Sequence, residues 1–562
     1  MRFRPLALFA LTAGLAVMVG GFTGIDAQEK VGKKGKKKVD PPADPVKPED
    51  KPVPRAPRNV VPAATPAAKD AAALAKVIDT EITRKLADAK LTASAKCSDE
   101  EFLRRAYLDI AGVIPSAAQA KTFLDDTTAD KRAKLIDELL ADARFGRRMA
   151  DIWTAKLFPK ESGNRFVLKD PLYKWFEEQF NKNPGWDKLI TSLVTATGTV
   201  ADSPAVTYFL ANRSVDKLTD TTAQHFLGIQ LQCCQCHNHP FTTWKQTEYW
   251  GMAAFYSKVK ADNPKNANKG GDNTTIGVQE GNGRTKQKDF FPEAAKNVSA
   301  KFLGAEEPKL NSADPYRPAL AKWMVAPENP YFARAMVNRT WAHLFGRGFI
   351  NPVDDMIEES VASHPELMDG LAKHVATTGE YDLKYLIKAI CLSDAYQRTS
   401  KPTADNKNDT KLFSHMNVKV LSPEQLFDSL GQVTGNLRPD AKGPKGVNPK
   451  GPRLGARDQF VNFFLAGADT TSAVEYEVGI PQALRLMNSP IANNPATVRA
   501  LVGRDSKPAE AIEKIYLTGL SRRPTAAELK DLTAYVERVG APDAYSDILW
   551  AVLNSSEFTL VK

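Results

Sequence analysis

Ten residues, Leu231-Gln232-Cys233-Cys234-Gln235-Cys236-His237-Asn238-His239-Pro240, hold three of the chain's five cysteines and two of its seven histidines. Cys233, Cys236 and His237 stand in the order C-x-x-C-H, the spacing used for covalent haem attachment. Two thiols three positions apart can each add to one vinyl group of a porphyrin, and the adjacent imidazole can then ligate the iron. On this reading Cys233 and Cys236 are the thioether links to haem c and His237 is the proximal ligand. Met252 is the nearest downstream thioether for the opposite face, where it would raise the potential. It also stands among Trp250, Ala253 and Phe255 in a helical apolar stripe, the setting of a core methionine. His225 and His239 are the other candidates, and His239 is too close in sequence to His237 to reach the far side of the iron easily.

Two other chemistries fit the same residues. Cys233, Cys236, His237 and His239 could supply a mixed tetrahedral set for zinc, although neighbours such as Cys236 and His237 rarely point at one ion. Alternatively Cys233 with Cys236, or Cys234 with Cys97 or Cys391, forms a disulfide in an oxidising compartment. Such a bridge would block haem attachment. The odd number of cysteines excludes complete internal pairing.

Elsewhere the chemistry is weaker. Asp354, Asp355, Glu358 and Glu359 with His364 resemble an acid–base group, but Ser363…Glu366 reads as a helix cap with His364 exposed in the first turn. Arg339, Trp341, His343 and Arg347 would suit a groove for an acidic polymer or glycan, yet Trp341 and Phe345 have the i, i+4 spacing of a buried stripe. There is no Gly-rich phosphate loop, nucleophile elbow or H-E-x-x-H. No catalytic residue is assigned, and a non-enzymatic role is expected.

The elements that must position these groups are helices. Capping boxes are expected at Ser98…Glu101, Ser116…Gln119, Thr243…Gln246, Ser363…Glu366, Ser422…Gln425 and Thr525…Glu528. Apolar residues follow at helical spacing, as in Leu135, Leu139 and Leu140. The fold class is therefore mainly α. One β-like stretch, Thr274–Phe290, could form a small hairpin turning at Gly281-Asn282-Gly283. Tyr107-Leu108 before Pro115-Ser116 is matched by Tyr516-Leu517 before Pro524-Thr525, with eight positions from Tyr to Pro in both. The endings Asp142…Phe145, Ser393…Tyr396 and Ser555…Phe558 also correspond, which reads as a duplicated helix–turn–helix–helix unit.

A chain of 562 residues, 43% hydrophobic and 25% charged, is too long for one core and ordinary in composition for a globular protein. Residues 1–27 read as a signal peptide: Arg2 and Arg4, an apolar run from Leu6 to Phe22, then Ile25-Asp26-Ala27 before Gln28. Residues 28–69 are a basic, Pro-rich linker with no means of folding. It carries Lys33, Lys34, Lys36, Lys37 and Lys38 and nine prolines between Pro41 and Pro66. Residues 1–27 contribute a net +1, and residues 28–66 have ten basic and five acidic side chains. Only +4 of the formal +10 is therefore left for the rest. That disfavours nucleic-acid binding by the body, while the Lys33–Lys38 tail could touch an anionic envelope polymer. Two helical domains are expected, 70–258 and 313–562, separated by a Gly/Asn/Lys-rich excursion over 259–312.

The chain resembles exported planctomycete proteins that pair a cytochrome-c-like domain of unknown function with a planctomycete-specific domain, also uncharacterised. The resemblance rests on Phe102-Leu103-Arg104-Arg105-Ala106-Tyr107-Leu108-Asp109, on Phe226-Leu227-Gly228 through His239-Pro240-Phe241, and on Tyr249-Trp250-Gly251-Met252. In the second domain it rests on Asn329-Pro330-Tyr331-Phe332, Trp341-Ala342-His343-Leu344-Phe345-Gly346-Arg347-Gly348, Ser363-His364-Pro365-Glu366-Leu367 and Leu421-Ser422-Pro423-Glu424-Gln425. It implies the cytochrome-c-like domain at 70–258 and the planctomycete-specific one at 313–562. Two departures stand out: Cys234 adds a third thiol, and Thr242 replaces an acidic residue after His-Pro-Phe.

The function expected is an exported haem-c-binding protein of the periplasm or cell surface, engaged in electron transfer or redox sensing with an envelope partner. The alternative is a non-catalytic envelope or surface interaction module whose Cys/His cluster is a disulfide or zinc clasp.

Overall fold

Side-chain caps decide where the helices begin. Ser116, Ser422 and Thr525 each accept a bond from the backbone three residues on, and Gln119, Gln425 and Glu528 reach back in turn. Ser98 caps its helix with its own oxygen, but Glu101 turns away to Arg105, Thr399 and Ser400. Two expected caps are not formed. Gln246 spends its side chain on the carbonyls of Gln235 and Cys236, so its helix starts at Gln246 itself, with Glu248 bonding back to the Lys245 backbone. Glu366 faces Arg84 and Lys85, and the helix Pro365–Ala376 starts from His364. His364 is fully buried rather than exposed.

The computed structural model describes residues 60–158, 167–262, 275–281, 298–356, 361–435, 455–465, 480–488, 495–503 and 506–562. The leader, the lysine cluster, most of the 259–312 excursion, and Glu358 and Glu359 lie outside the described residues. Val53–Lys562 forms one unit, with 22 α-helices among the described residues. The protein is mainly α. No helix of the described residues is long and apolar enough to cross a membrane.

Helix Phe332–Phe345 occupies the centre. Twelve of its fourteen residues are buried, the signature of a helix packed on all sides. Trp341 stacks on Phe345 at 4.3 Å and lies 4.2 Å from Phe349, so the expected apolar stripe is present. Asn338, fully buried, donates to the carbonyls of Ile350 and Val353 and accepts from the Ile350 amide. One side chain thereby staples the 350–353 loop onto the helix. The surrounding core is continuous. It takes in Leu74, Phe102 and Trp153 from the first half and Trp341, Leu386 and Phe413 from the second.

A second apolar cluster gathers Leu421, Phe427, Phe460, Ile515 and Leu549, and two buried arginines join it to the first half. Arg104 donates to the carbonyls of Gly519 and Phe558, and Arg105 to those of Tyr396, Arg398 and Lys562. The paired units of the sequence, Asp99–Ala111 with Ala117–Asp125 and Pro508–Leu520 with Ala526–Val539, pack against each other, and Arg523 bonds Asp125 at 2.5 Å. Ser393 and Ser555 cap alike, accepting from the amides of Tyr396 and Phe558. Strand β1 (Gly198–Thr199), β2 (Val259–Ala261) and β3 (Gly277–Glu280) form an antiparallel sheet in the order β1-β3-β2. β3 thus pairs backwards in sequence with β2 and β1; a turn at 281–283 would fall outside the described residues after Gly281. β4 (Lys419–Val420) pairs with β5 (Leu560–Val561).

Candidate functional site

Residues 232–235 form a single 3₁₀ turn. With three residues per turn, side chains three apart eclipse one another, and the sequence supplies two such pairs. Leu231 and Cys234 face inward and are buried, while Cys233 and Cys236 face outward and are exposed. The turn is docked on the start of helix Gln246–Ala253. Gln246 bonds the Gln235 and Cys236 carbonyls, Trp250 Nε1 donates to Gln235 O at 3.2 Å, and the Gln246 amide donates to Asn238 Oδ1 at 2.9 Å. The exposed thiols therefore sit on a held backbone.

The three cysteines of the turn differ in kind. All are unpaired. Cys234 points its thiol at the Trp244 carbonyl, 3.6 Å away, and burial pushes its pKa up to about 12, so it is a poor thiolate. His237 is exposed, and its Nδ1 lies 2.6 Å from the Asn238 carbonyl oxygen. A carbonyl only accepts, so Nδ1 carries the proton and the neutral ring keeps its lone pair on Nε2. His239 is half-buried and engaged differently: its Nδ1 accepts from the Phe241 amide at 3.2 Å.

Met252 is fully buried on helix Gln246–Ala253, on the core side of the molecule from the exposed pair. His225 is buried as well, with Arg339 at 3.3 Å and Asp354 at 3.7 Å from its Nδ1. Among the described residues no three His, Cys, Asp or Glu side chains come together to hold a metal ion, and this includes the set Cys233, Cys236, His237 and His239. Asp354, rather than joining an acid–base group with His364, pairs with Arg339.

Two cavities flank helix Phe332–Phe345. The larger, about 550 Å³, is walled by Trp153, Trp186, Gln224, Gln230, Arg339 and Asp354 among others. The smaller, about 380 Å³, is walled by Asp109, Arg148, Asn417, Lys419, Ser422 and Gln425; His343, Gly346 and Arg347 border both. None of Cys233, Cys236, His237 and Met252 borders either. The larger cavity nevertheless lies close to the turn: Gln230 is three residues before Cys233. Burial pushes up the carboxyl of Asp355, next to the cavity residue Asp354, with His239 acting in the opposite direction. Each cavity takes a wall residue from a π-helical turn, Asp109 from Tyr107–Ala111 and Gln224 from Ala223–Leu227, and such turns concentrate at functional sites.

Sequence reasoning missed the smaller cavity. Its members come from five distant segments, and the only local signal was charge within apolar helices, as at Arg148 and Asp109. Asp109 accepts from Lys419 at 2.5 Å and from Tyr396 at 3.0 Å. Lys419 also donates to the carbonyls of His343 and Leu344, where a cation suits the C-terminal end of a helix.

Fold and site together define a mainly helical protein that presents a C-x-x-C-H turn on its surface, beside a cleft-bearing central helix. Residues 77–261 match a family described as PSCyt2, a protein of unknown function (DUF1549), and residues 316–472 match one described as PSD1, a protein of unknown function (DUF1553). The chain thus pairs two domains of unknown function, as the resemblance implied. No curated protein and no solved structure matches it.

Proposed function

We propose that the protein binds haem c covalently through Cys233 and Cys236, with His237 as the proximal ligand, and works as an exported electron-transfer or redox-sensing component of the cell envelope. The observation that carries this reading is the state of the three side chains. Both thiols are outward-facing and unpaired on one turn, and His237 holds its Nδ1 proton against a carbonyl with Nε2 left over. Ligating histidines characteristically donate their other ring N–H in this way, which fixes the tautomer and orients the ring. The cytochrome-like name of the matched family PSCyt2 agrees with it, as do the leader-like residues 1–27.

Bound haem would supply one-electron redox chemistry; the protein's part is to orient the ring nitrogen and present the two sulfurs. Cys234 takes no part, because its thiol is packed in the core. Met252 could reach a haem held at the turn only by leaving the core, so His237 is the iron ligand that the turn would supply. The test is export in a host equipped for haem attachment, followed by absorbance of the purified protein. A Soret band that survives acid–acetone extraction is expected in the wild type and in Cys234→Ser, and is expected to vanish in Cys233→Ala/Cys236→Ala. Colourless wild-type protein from that host would leave the non-catalytic envelope module as the reading.

A further inference from the structure

The smaller cavity contains a charge that the protein does not neutralise. Arg148 is 6% exposed, forms no ion pair with any described residue, and makes one hydrogen bond, from Nη1 to Ser422 Oγ at 3.2 Å. Its Nε is buried with no partner. Asp151, Glu424 and Asp109 act on it only at a distance. Asp109 is already engaged by Lys419 and Tyr396. A guanidinium has five donors in a fixed fork, and leaving it buried without an anion is costly.

The cavity is built around this side chain. Gly112 ends the π-helical turn in the left-handed conformation, φ 73°, and a Cβ there would lie 2.8 Å from Arg148 Cδ. Gly346 ends the central helix in the same way, φ 75°, with its missing Cβ 3.0 Å from Lys419 Cγ. Two helix ends thus lean on the stems of two cations. Arg347, half-buried on the shared wall, has no ion pair or hydrogen bond among the described residues. His343 gives its Nε2 proton to the Asp109 carbonyl at 2.8 Å, so its ring adds no positive charge while neutral. With Lys419 balanced by Asp109, two arginines remain uncompensated in the wall.

We infer that this cavity is a binding site for an oxyanion group, a phosphate, sulfate or carboxylate of a small ligand, held by the Arg148 fork and closed by Arg347. The site is separate from the Cys/His turn and does not depend on haem. Arginine is suited to such groups because two parallel N–H donors match two oxygens.

Calorimetric titration of the intact protein with inorganic phosphate, sulfate and acetate, each at constant low ionic strength, tests it. Saturable one-site binding of at least one is expected, and the anion that binds identifies the class. Arg148→Lys keeps the charge but loses the fork and should weaken binding by about tenfold or more. Arg347→Gln should weaken it by about threefold to tenfold. Arg538→Gln, an exposed arginine on helix Ala526–Val539, should leave it unchanged. If Arg148→Lys lacks the native helical circular dichroism, Arg347→Gln against Arg538→Gln decides. No saturable binding of any of the three anions, or equal weakening by Arg347→Gln and Arg538→Gln, overturns the proposal.

Discussion

His364 lies in the core between Phe349 and Phe413, ring centroids 5.9 and 5.5 Å away, with Nε2 buried and unpartnered. Desolvation, with Lys85 adding to it, lowers its pKa to about 4 from the ordinary 6.5. The folded protein therefore keeps this ring neutral while the unfolded chain takes up a proton below pH 6.5. Its contribution to stability is complete above pH 6.5 and is lost as pH falls to about 4. The loss is roughly 3 kcal/mol by linkage. In His364→Phe that part of the acid sensitivity should disappear, so denaturant midpoints of variant and wild type should diverge in the variant's favour from pH 6.5 to 4. Parallel profiles would show that the ring does not titrate there. At this scale the sequence was informative about identity and poor about exposure. The Cys/His turn was found from spacing alone. His364 was misjudged because a histidine beside a cap looks exposed until the long-range packing of Phe349 and Phe413 is known.

Local chemistry predicted the helices well and their junctions less well. Ser116, Ser422 and Thr525 cap where expected because each cap needs only residues three apart. Thr243 and Ser363 fail because Gln246 and Glu366 have better partners from elsewhere in the chain. Glycine junctions carry the tighter constraint. Gly112 combines φ 73° with the close approach of Arg148. Gly112→Ala should therefore cost at least about 1–2 kcal/mol from backbone strain alone, more than an exposed helix-interior change. Urea denaturation measures it, and a loss below about 0.5 kcal/mol would contradict the left-handed conformation at Gly112.

The whole molecule is where sequence reasoning had least to work with. Periodicity and composition place a linker-like excursion at 259–312, but no local pattern shows that Arg105 in the first hundred or so residues bonds the carbonyl of Lys562 at 2.7 Å. Such long-range bonds weld the chain: β5 completes β4, and Phe558 O receives Arg104 at 2.6 Å. Removing residues 556–562 leaves both buried arginines short of acceptors, and each lost bond to a charged donor is worth about 1.5–3 kcal/mol. The truncated chain should melt several degrees lower. In the full chain, tryptophan fluorescence and far-ultraviolet circular dichroism should follow one transition. Two separated transitions in the full chain, or an unchanged melting temperature after truncation, would contradict this account of the core.

The central claim concerns three side chains of one turn, and the intact mass of the exported protein tests it most directly. From a host competent in haem attachment, the wild type should be heavier than its polypeptide by one haem, with the added mass on the peptide containing Cys233 and Cys236. Cys233→Ala/Cys236→Ala should have the bare polypeptide mass. A wild-type mass equal to that of the polypeptide alone would contradict the claim.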